Sequence, residues 1–208
     1  KPAPAIERLP AERTDAEYKR LRRQVFAGIF IGYAAFYLVR KNFALVIPDV
    51  LKEHPEYTKA DLGMAMTGLS IASMFYGNLT ALVQTDVKRM LGFSGIAHAG
   101  YILMGMATMQ GWGIATSLYY ATGYLFMMLA AFLVLCIVSP DGKNLTVSDL
   151  NGLSRRSPML AFVLGVSMFA LAGIPPFVGF MGKFMLFTGA WRAGHTALVI
   201  VAAINTAI

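Results

Sequence analysis

Residues Ser157–Thr188 read SPMLAFVLGVSMFALAGIPPFVGFMGKFMLFT, and how this stretch is read decides the fold. Between Pro158 and Gly182 no residue is charged. At about 1.5 Å per residue, such a run is long enough for a helix to cross a hydrocarbon core of ~30 Å. Gly173-Ile174-Pro175-Pro176 interrupts it, and a proline both removes a backbone donor and clashes with the carbonyl one turn back. The stretch therefore predicts a discontinuous transmembrane helix, broken at Gly173, Pro175 and Pro176. Carbonyls freed near Ala172 need protein or water around them, because lipid offers no donor.

Lys183 lies seven residues past Pro176. An ammonium inside a bilayer costs roughly 2.5 to 3.5 kcal/mol on insertion scales unless it snorkels or finds polar company. Either Lys183 belongs to an ion-translocating site beside the broken helix, or it ends a kinked helix and reaches outward. Phe184-Met185-Leu186-Phe187 carry the apolar run more than a turn further, which favours the first reading.

Composition supports a membrane protein throughout. Of 208 residues, 57% are hydrophobic and 14% charged, with a mean hydropathy of +0.58, which is the balance of an integral membrane protein and not of a soluble domain. The net charge of +7 would point to nucleic acid in a soluble protein. Here seven of the eighteen Lys and Arg lie in the first 23 residues, ending in the collar Lys19, Arg20, Arg22 and Arg23. That placement fits phosphate headgroups on the cytoplasmic face, with no nucleic acid partner. The single Cys136 excludes a disulfide or a thiolate metal cluster within one chain, and no metal site is expected. No Gly-rich nucleotide loop follows a strand, so no cofactor is expected on this chain. There is no signal region with a cleavage site, and Lys1 reads as a trimmed or incomplete start.

The sequence divides into an all-α polytopic protein of about six membrane segments, the last incomplete. Residues 1–23 form a basic segment. The first span, about Gln24 to Pro48, is apolar except for Arg40-Lys41-Asn42. Arg40 and Lys41 either line an anion site facing the bundle or snorkel to the interface. The second span, about Leu62 to Val83, is rich in small residues, with Thr58 or Asp61 as its cap. From Met90 to Pro140 there is no formal charge, and Gln110-Gly111-Trp112-Gly113 reads as the turn between two crossings. His98 lies within the first of these, as packing or as a proton relay. The broken span follows, and His195–Ile208 is too short to span by itself. With the amino terminus inside, inner segments hold twelve cations against Lys52, Lys59 and Arg192 outside, while Arg40, Lys41 and Lys183 lie within spans. The positive-inside rule is satisfied.

Two resemblances are carried by motifs. KPAP, YKRLRRQVFAGIFIGYAAFYLVRKNFAL and DLGMAMTGLSIA, within residues 1 to about 72, resemble the bacterial glycerol-3-phosphate transporter, an organophosphate:phosphate antiporter of the major facilitator superfamily. That resemblance implies phosphate-ester binding at Arg40, with Lys41 close by. From about Ser73 to 208, NLTALVQTDVKRMLGFSGIAHAGYILMG, DLNGLSRRSP and LAGIPPFVGFMGKF resemble the antiporter-like subunit N family of bacterial NADH:quinone oxidoreductase, respiratory complex I. This second resemblance implies that Lys183 is a proton-path residue on a discontinuous helix and that His98 is a possible relay. It further implies the bacterial inner membrane, other membrane-arm subunits of complex I and the lipid bilayer as partners, and no redox centre on this chain.

Together the two resemblances read as a fusion of fragments, 24–72 and 73–208, joined inside one helix near Ser70–Tyr76 and truncated at the carboxyl end. Three functions compete. The first is a part in proton translocation, with Lys183 changing protonation as its surroundings alternate between wet and dry. The second is a phosphate-ester carrier, and the third an inserted chimera without activity. An intact-mass measurement on the expressed polypeptide is the direct check of the join. A fusion predicts residues 72 and 73 in one covalent chain, and separate masses for the two parts would contradict it.

Overall fold

A computed structural model describes residues 49–139 and 144–207. The first expected span, with Arg40 and Lys41, lies outside the described residues. Residues 49–57 belong to a separate unit. The unit from Thr58 onward is helical throughout, and its only β pairing among the described residues is one isolated bridge, Asp86 to Thr146. The chain is a polytopic all-α membrane protein.

Helix α1, Lys59–Leu82, starts at a capping box: Asp61 N–H donates to Thr58 Oγ1 at 3.3 Å, and Thr58 N–H donates to Asp61 Oδ2 at 2.7 Å. Two of the orphan donors at the helix start are thereby satisfied. Its buried residues are Gly63, Met66, Ser70, Met74 and Gly77, spaced three and four apart on one face. That face packs on α2, Val87–Ala107. A Cβ on Gly77 would overlap the backbone of Ala97 and Phe93, and one on Gly100 would meet Met74 and the Ser70 carbonyl. Ser70 Oγ closes the contact by donating to the Gly100 carbonyl at 2.7 Å. Without a hydrophobic drive inside lipid, such close approach of backbones is what holds membrane helices together. The helix runs unbroken through Ser70–Tyr76.

Helix α3, Gly111–Val138, begins at Gly111, so the turn expected at Gln110–Gly113 falls instead at Thr108–Gln110. Met109 makes it, with φ 52°, while Thr108 Oγ1 donates to the Gly105 carbonyl at 2.8 Å and accepts the Gln110 N–H at 3.3 Å. Gly113 serves contact and not the turn: a Cβ there would strike Gly105 and Thr108, whereas one on Gly111 would meet nothing within 4 Å. Helices α2 and α3 are each long and apolar enough to cross a membrane.

Residues 144–157 return to the start of α2. Val87 N–H donates to the Leu145 carbonyl at 2.9 Å and Val147 N–H to that of Thr85 at 3.2 Å. A 3-10 turn at Val147–Leu150 is capped by Asp149, which accepts the Thr146 N–H at 2.8 Å and its hydroxyl at 2.7 Å. The backbone bond, then the hydroxyl, hold the Asp149 carboxyl below the usual carboxylate range. A short helix α4, Leu153–Arg156, leads to α5, Pro158–Ala172, with proline at the first turn, where its missing N–H costs nothing.

The expected break is present. After α5 come Gly173 and a turn containing the cis Pro175–Pro176 bond, then α6, Val178–Arg192. At 15 residues each, α5 and α6 are about 22 Å long, so neither reaches across a ~30 Å core alone. Helix α7, Thr196–Thr206, packs on α1 and α6. Two apolar clusters form. One joins α2, α3 and α5 with Leu145 and Leu153, and the other joins α1, α2, α3, α6 and α7 around Met74, Met104 and Leu186.

The α1–α2 contact generates a prediction. Gly77→Val should lower the melting temperature of the assembled protein, by a destabilisation of roughly 1–3 kcal/mol for overpacking. Gly92→Ala, where a Cβ meets nothing within 4 Å, should leave it unchanged or slightly raised. Equal effects of the two in a thermal unfolding assay would contradict the packing described.

Candidate functional site

The break between α5 and α6 leaves carbonyls that need donors. Gly173, at φ 84°, lets the chain turn back so that its own N–H reaches the Phe169 and Ala170 carbonyls, and Ile174 N–H reaches Phe169 at 3.1 Å. This is the left-handed cap that glycine adopts without strain. The Ala172 carbonyl is met differently: Lys183 Nζ donates to it at 3.3 Å. The donor comes from α6 because the two halves overlap sideways. Gly179 lies against the Ala170 carbonyl, where any Cβ would clash, and one turn later Lys183 comes level with Ala172.

Lys183 is 7% exposed. Its ammonium sits at the carboxyl end of α5, where aligned peptide dipoles give about half a negative charge. It also lies over the Tyr101 ring, 4.9 Å from the centroid, a cation–π contact. A Cβ on Gly173 would stand 3.1 Å from Lys183 Cδ, so glycine there both turns the chain and admits the side chain. Among the described residues no carboxylate pairs with Lys183.

His98, on α2, is 4% exposed. Its Nδ1 is 2.6 Å from the Tyr120 hydroxyl of α3. Its ring lies among three tyrosines, with centroids at 4.7 Å for Tyr124, 5.8 Å for Tyr120 and 6.2 Å for Tyr101. Gly182 makes room for Tyr120, since a Cβ there would meet its ring. Lys183 and His98 line one cavity of about 540 Å³, together with Asn78, Ser94, Tyr101 and Thr206.

The structure thus brings Lys183, His98 and the break at Gly173, Pro175 and Pro176 to one place. The sequence analysis does not single out the tyrosines, although Tyr101 stands one turn from His98 and Tyr120 and Tyr124 are one turn apart. Those helical spacings were the available signal. The arrangement can hold a cation in a space of mixed polar and apolar lining, large enough for several waters, beside groups able to pass hydrogen bonds. The acids at Asp86 and Asp149 are occupied as caps at helix starts.

Comparison with known proteins agrees with this geometry. The model of the family described as NADH:quinone oxidoreductase/Mrp antiporter, TM, matches residues 25–208. The chain is 60% identical over 147 residues to an NADH-quinone oxidoreductase subunit N 2 of Opitutus terrae, covering 71% of this chain and 31% of that protein. It is 46% identical over 167 residues to a subunit N of Trichlorobacter lovleyi, covering 80% and 34%. The chain therefore spans about a third of the length of the curated relatives it matches. Among solved structures, respiratory complex I from Thermus thermophilus contains a chain 36% identical, with a TM-score of 0.63, over 69% of this chain and 33% of that one. The Mrp complex from Dietzia contains one 28% identical with a TM-score of 0.66, over 71% and 28%. The family match begins at residue 25 and runs through Ser70–Tyr76. Nothing in these comparisons supports the transporter resemblance of residues 1–72 or a fusion. With a discontinuous helix, a buried lysine at its break and a family match over nearly the whole sequence, this chain belongs to the NADH:quinone oxidoreductase/Mrp antiporter transmembrane family.

Proposed function

We propose that this chain is part of a subunit N of a bacterial NADH:quinone oxidoreductase and contributes a segment of its proton-translocation path. The observation that carries the reading is Lys183, buried at the carboxyl end of a broken helix and open to a cavity it shares with His98. An amine held by a helix end and a ring, with no carboxylate partner among the described residues, is not locked into one charge state by an ion pair. When the cavity is wet the ammonium is solvated. When it dries, the charged form is disfavoured and the proton leaves. His98, whose Nδ1 meets the Tyr120 hydroxyl, accepts and passes that proton along the same cavity.

On this reading the partners are other membrane-arm subunits and the bilayer, and the redox chemistry lies on other chains. The chain crosses the inner membrane several times with its amino terminus in the cytoplasm. The pairing of Thr85–Val87 with Leu145–Val147 supports a cytoplasmic position for the turn between α1 and α2. It gathers Lys88, Arg89, Arg155 and Arg156 on one side, the arrangement that the positive-inside rule assigns to the cytoplasm.

The test is Lys183→Ala in the assembled enzyme, with protons translocated per NADH oxidised as the readout. Translocation through this path should be lost, while Lys183→Arg, whose guanidinium keeps its charge and cannot cycle, should fare no better. Unchanged stoichiometry and turnover in Lys183→Ala would remove the residue from the mechanism. A second measurement concerns the relay. His98→Ala should slow turnover by about a hundredfold or more, within the usual range for a positioned acid–base group, whereas a rate equal to wild type would leave His98 as packing only.

A further inference from the structure

Tyr101 faces two ways. Its ring carries the Lys183 ammonium, and its hydroxyl lies 2.8 Å from Thr206 Oγ1 and 3.4 Å from Asn205 Oδ1 on α7. Asn78 on α1 joins the same group, donating through Nδ2 to Asn205 Oδ1 at 2.7 Å and to the Asn205 backbone carbonyl at 2.9 Å. Asn205 has no exposed surface, and its Nδ2 has no partner among the described residues. An amide buried in this way is found where water completes its bonding. Packing alone would be served as well by an apolar side chain at either position.

The placement of the cluster gives it a direction. Asn78, Tyr101 and Thr206 line the cavity that holds Lys183 and His98. From there the cavity runs past Ala81, Leu82 and Met90, toward the turn between α1 and α2 at Val83–Asp86. We infer that Asn78, Tyr101 and Thr206, with Asn205 behind them bonded to Asn78 and Tyr101, hold water in the cavity wall and form the route by which protons reach Lys183 from the side of that turn. Each proton entering at the cavity mouth is handed between water and hydroxyl oxygens and ends on the Lys183 amine. Only O–H and N–H bonds change, and no further reactant is needed. The inference rests on the proton-path reading and adds to it the residues and the side of entry.

The experiment uses the assembled enzyme with Tyr101→Phe and Asn78→Ala, and Lys183→Ala as the control. Tyr101→Phe keeps the ring under the ammonium and removes only the hydroxyl. The titratable groups that share the cavity with Lys183 are His98 and Tyr101 on α2, with Tyr120 and Tyr124 on α3 packed against His98, while among the described residues α1, α5 and α7 add none to the cavity. Neither variant removes any of these except the Tyr101 hydroxyl itself. Relative to wild type, turnover and pumping should fall about tenfold further between about pH 6 and about pH 8, because supply limits the rate where protons are scarce. A profile parallel to wild type, whether unchanged or lowered equally at every pH, would reduce the cluster to packing and overturn the route. Should Asn78→Ala fail to assemble, the nearly isosteric Tyr101→Phe decides alone. If Lys183→Ala abolishes pumping while Tyr101→Phe runs parallel to wild type, the route is wrong and the role of Lys183 stands. If Lys183→Ala pumps normally, both fall.

Discussion

An ammonium and a helix end satisfy each other inside the bilayer, and the rest of the structure follows from that exchange. Breaking a helix at membrane depth strands carbonyls that lipid cannot serve. Burying a lysine there strands a charge that lipid cannot solvate. Lys183 Nζ at the Ala172 carbonyl answers both needs with one contact. The glycine cap at Gly173 satisfies the preceding carbonyls, and the sideways overlap of α5 and α6, made possible by Gly179, brings the lysine to the right height. Because this bond joins a charge to a dipole and not to a carboxylate, it stabilises the ammonium without fixing it. That is the electrostatic condition that the proposed proton-path role of Lys183 requires.

Small residues set the distances elsewhere. The face of α1 built from Gly63, Ser70 and Gly77 brings α1 onto α2 closely enough for Ser70 to bond the Gly100 carbonyl across the interface. This contact fixes Tyr101 and His98, both on α2, relative to Asn78 on α1. The strap at residues 144–157 holds the other end of α2 through Leu145. Polar groups that would be costly in lipid are thus gathered into one cavity, while the apolar clusters on either side of it supply the packing.

Much of this was legible from residues whose physics is strong and local. A Gly-Ile-Pro-Pro run inside an uncharged stretch cannot remain a straight helix, and a lysine beyond it cannot face lipid cheaply. The break and the candidate site followed from those two facts. The positions of Tyr101, Tyr120, Asn78 and Asn205 were not legible, because their roles depend on which faces of four helices meet, and small residues, not periodic apolar ones, decide that. The turn after α2 was misplaced for a related reason: Gly111 and Gly113 look like turn residues, yet Gly113 is there to let α3 approach Gly105. The likeness of residues 1–72 to a transporter rested on motif similarity, which the comparisons do not support and packing cannot weigh.

The most direct measurement is a cryo-electron microscopy map of the parent complex, sharp enough to place the Lys183 side chain. The account predicts density broken after Ala172, with Nζ within hydrogen-bond reach of the Ala172 carbonyl, as at the 3.3 Å found here. A continuous helix through Gly173–Pro176, with the amine extended to the headgroups, would contradict it.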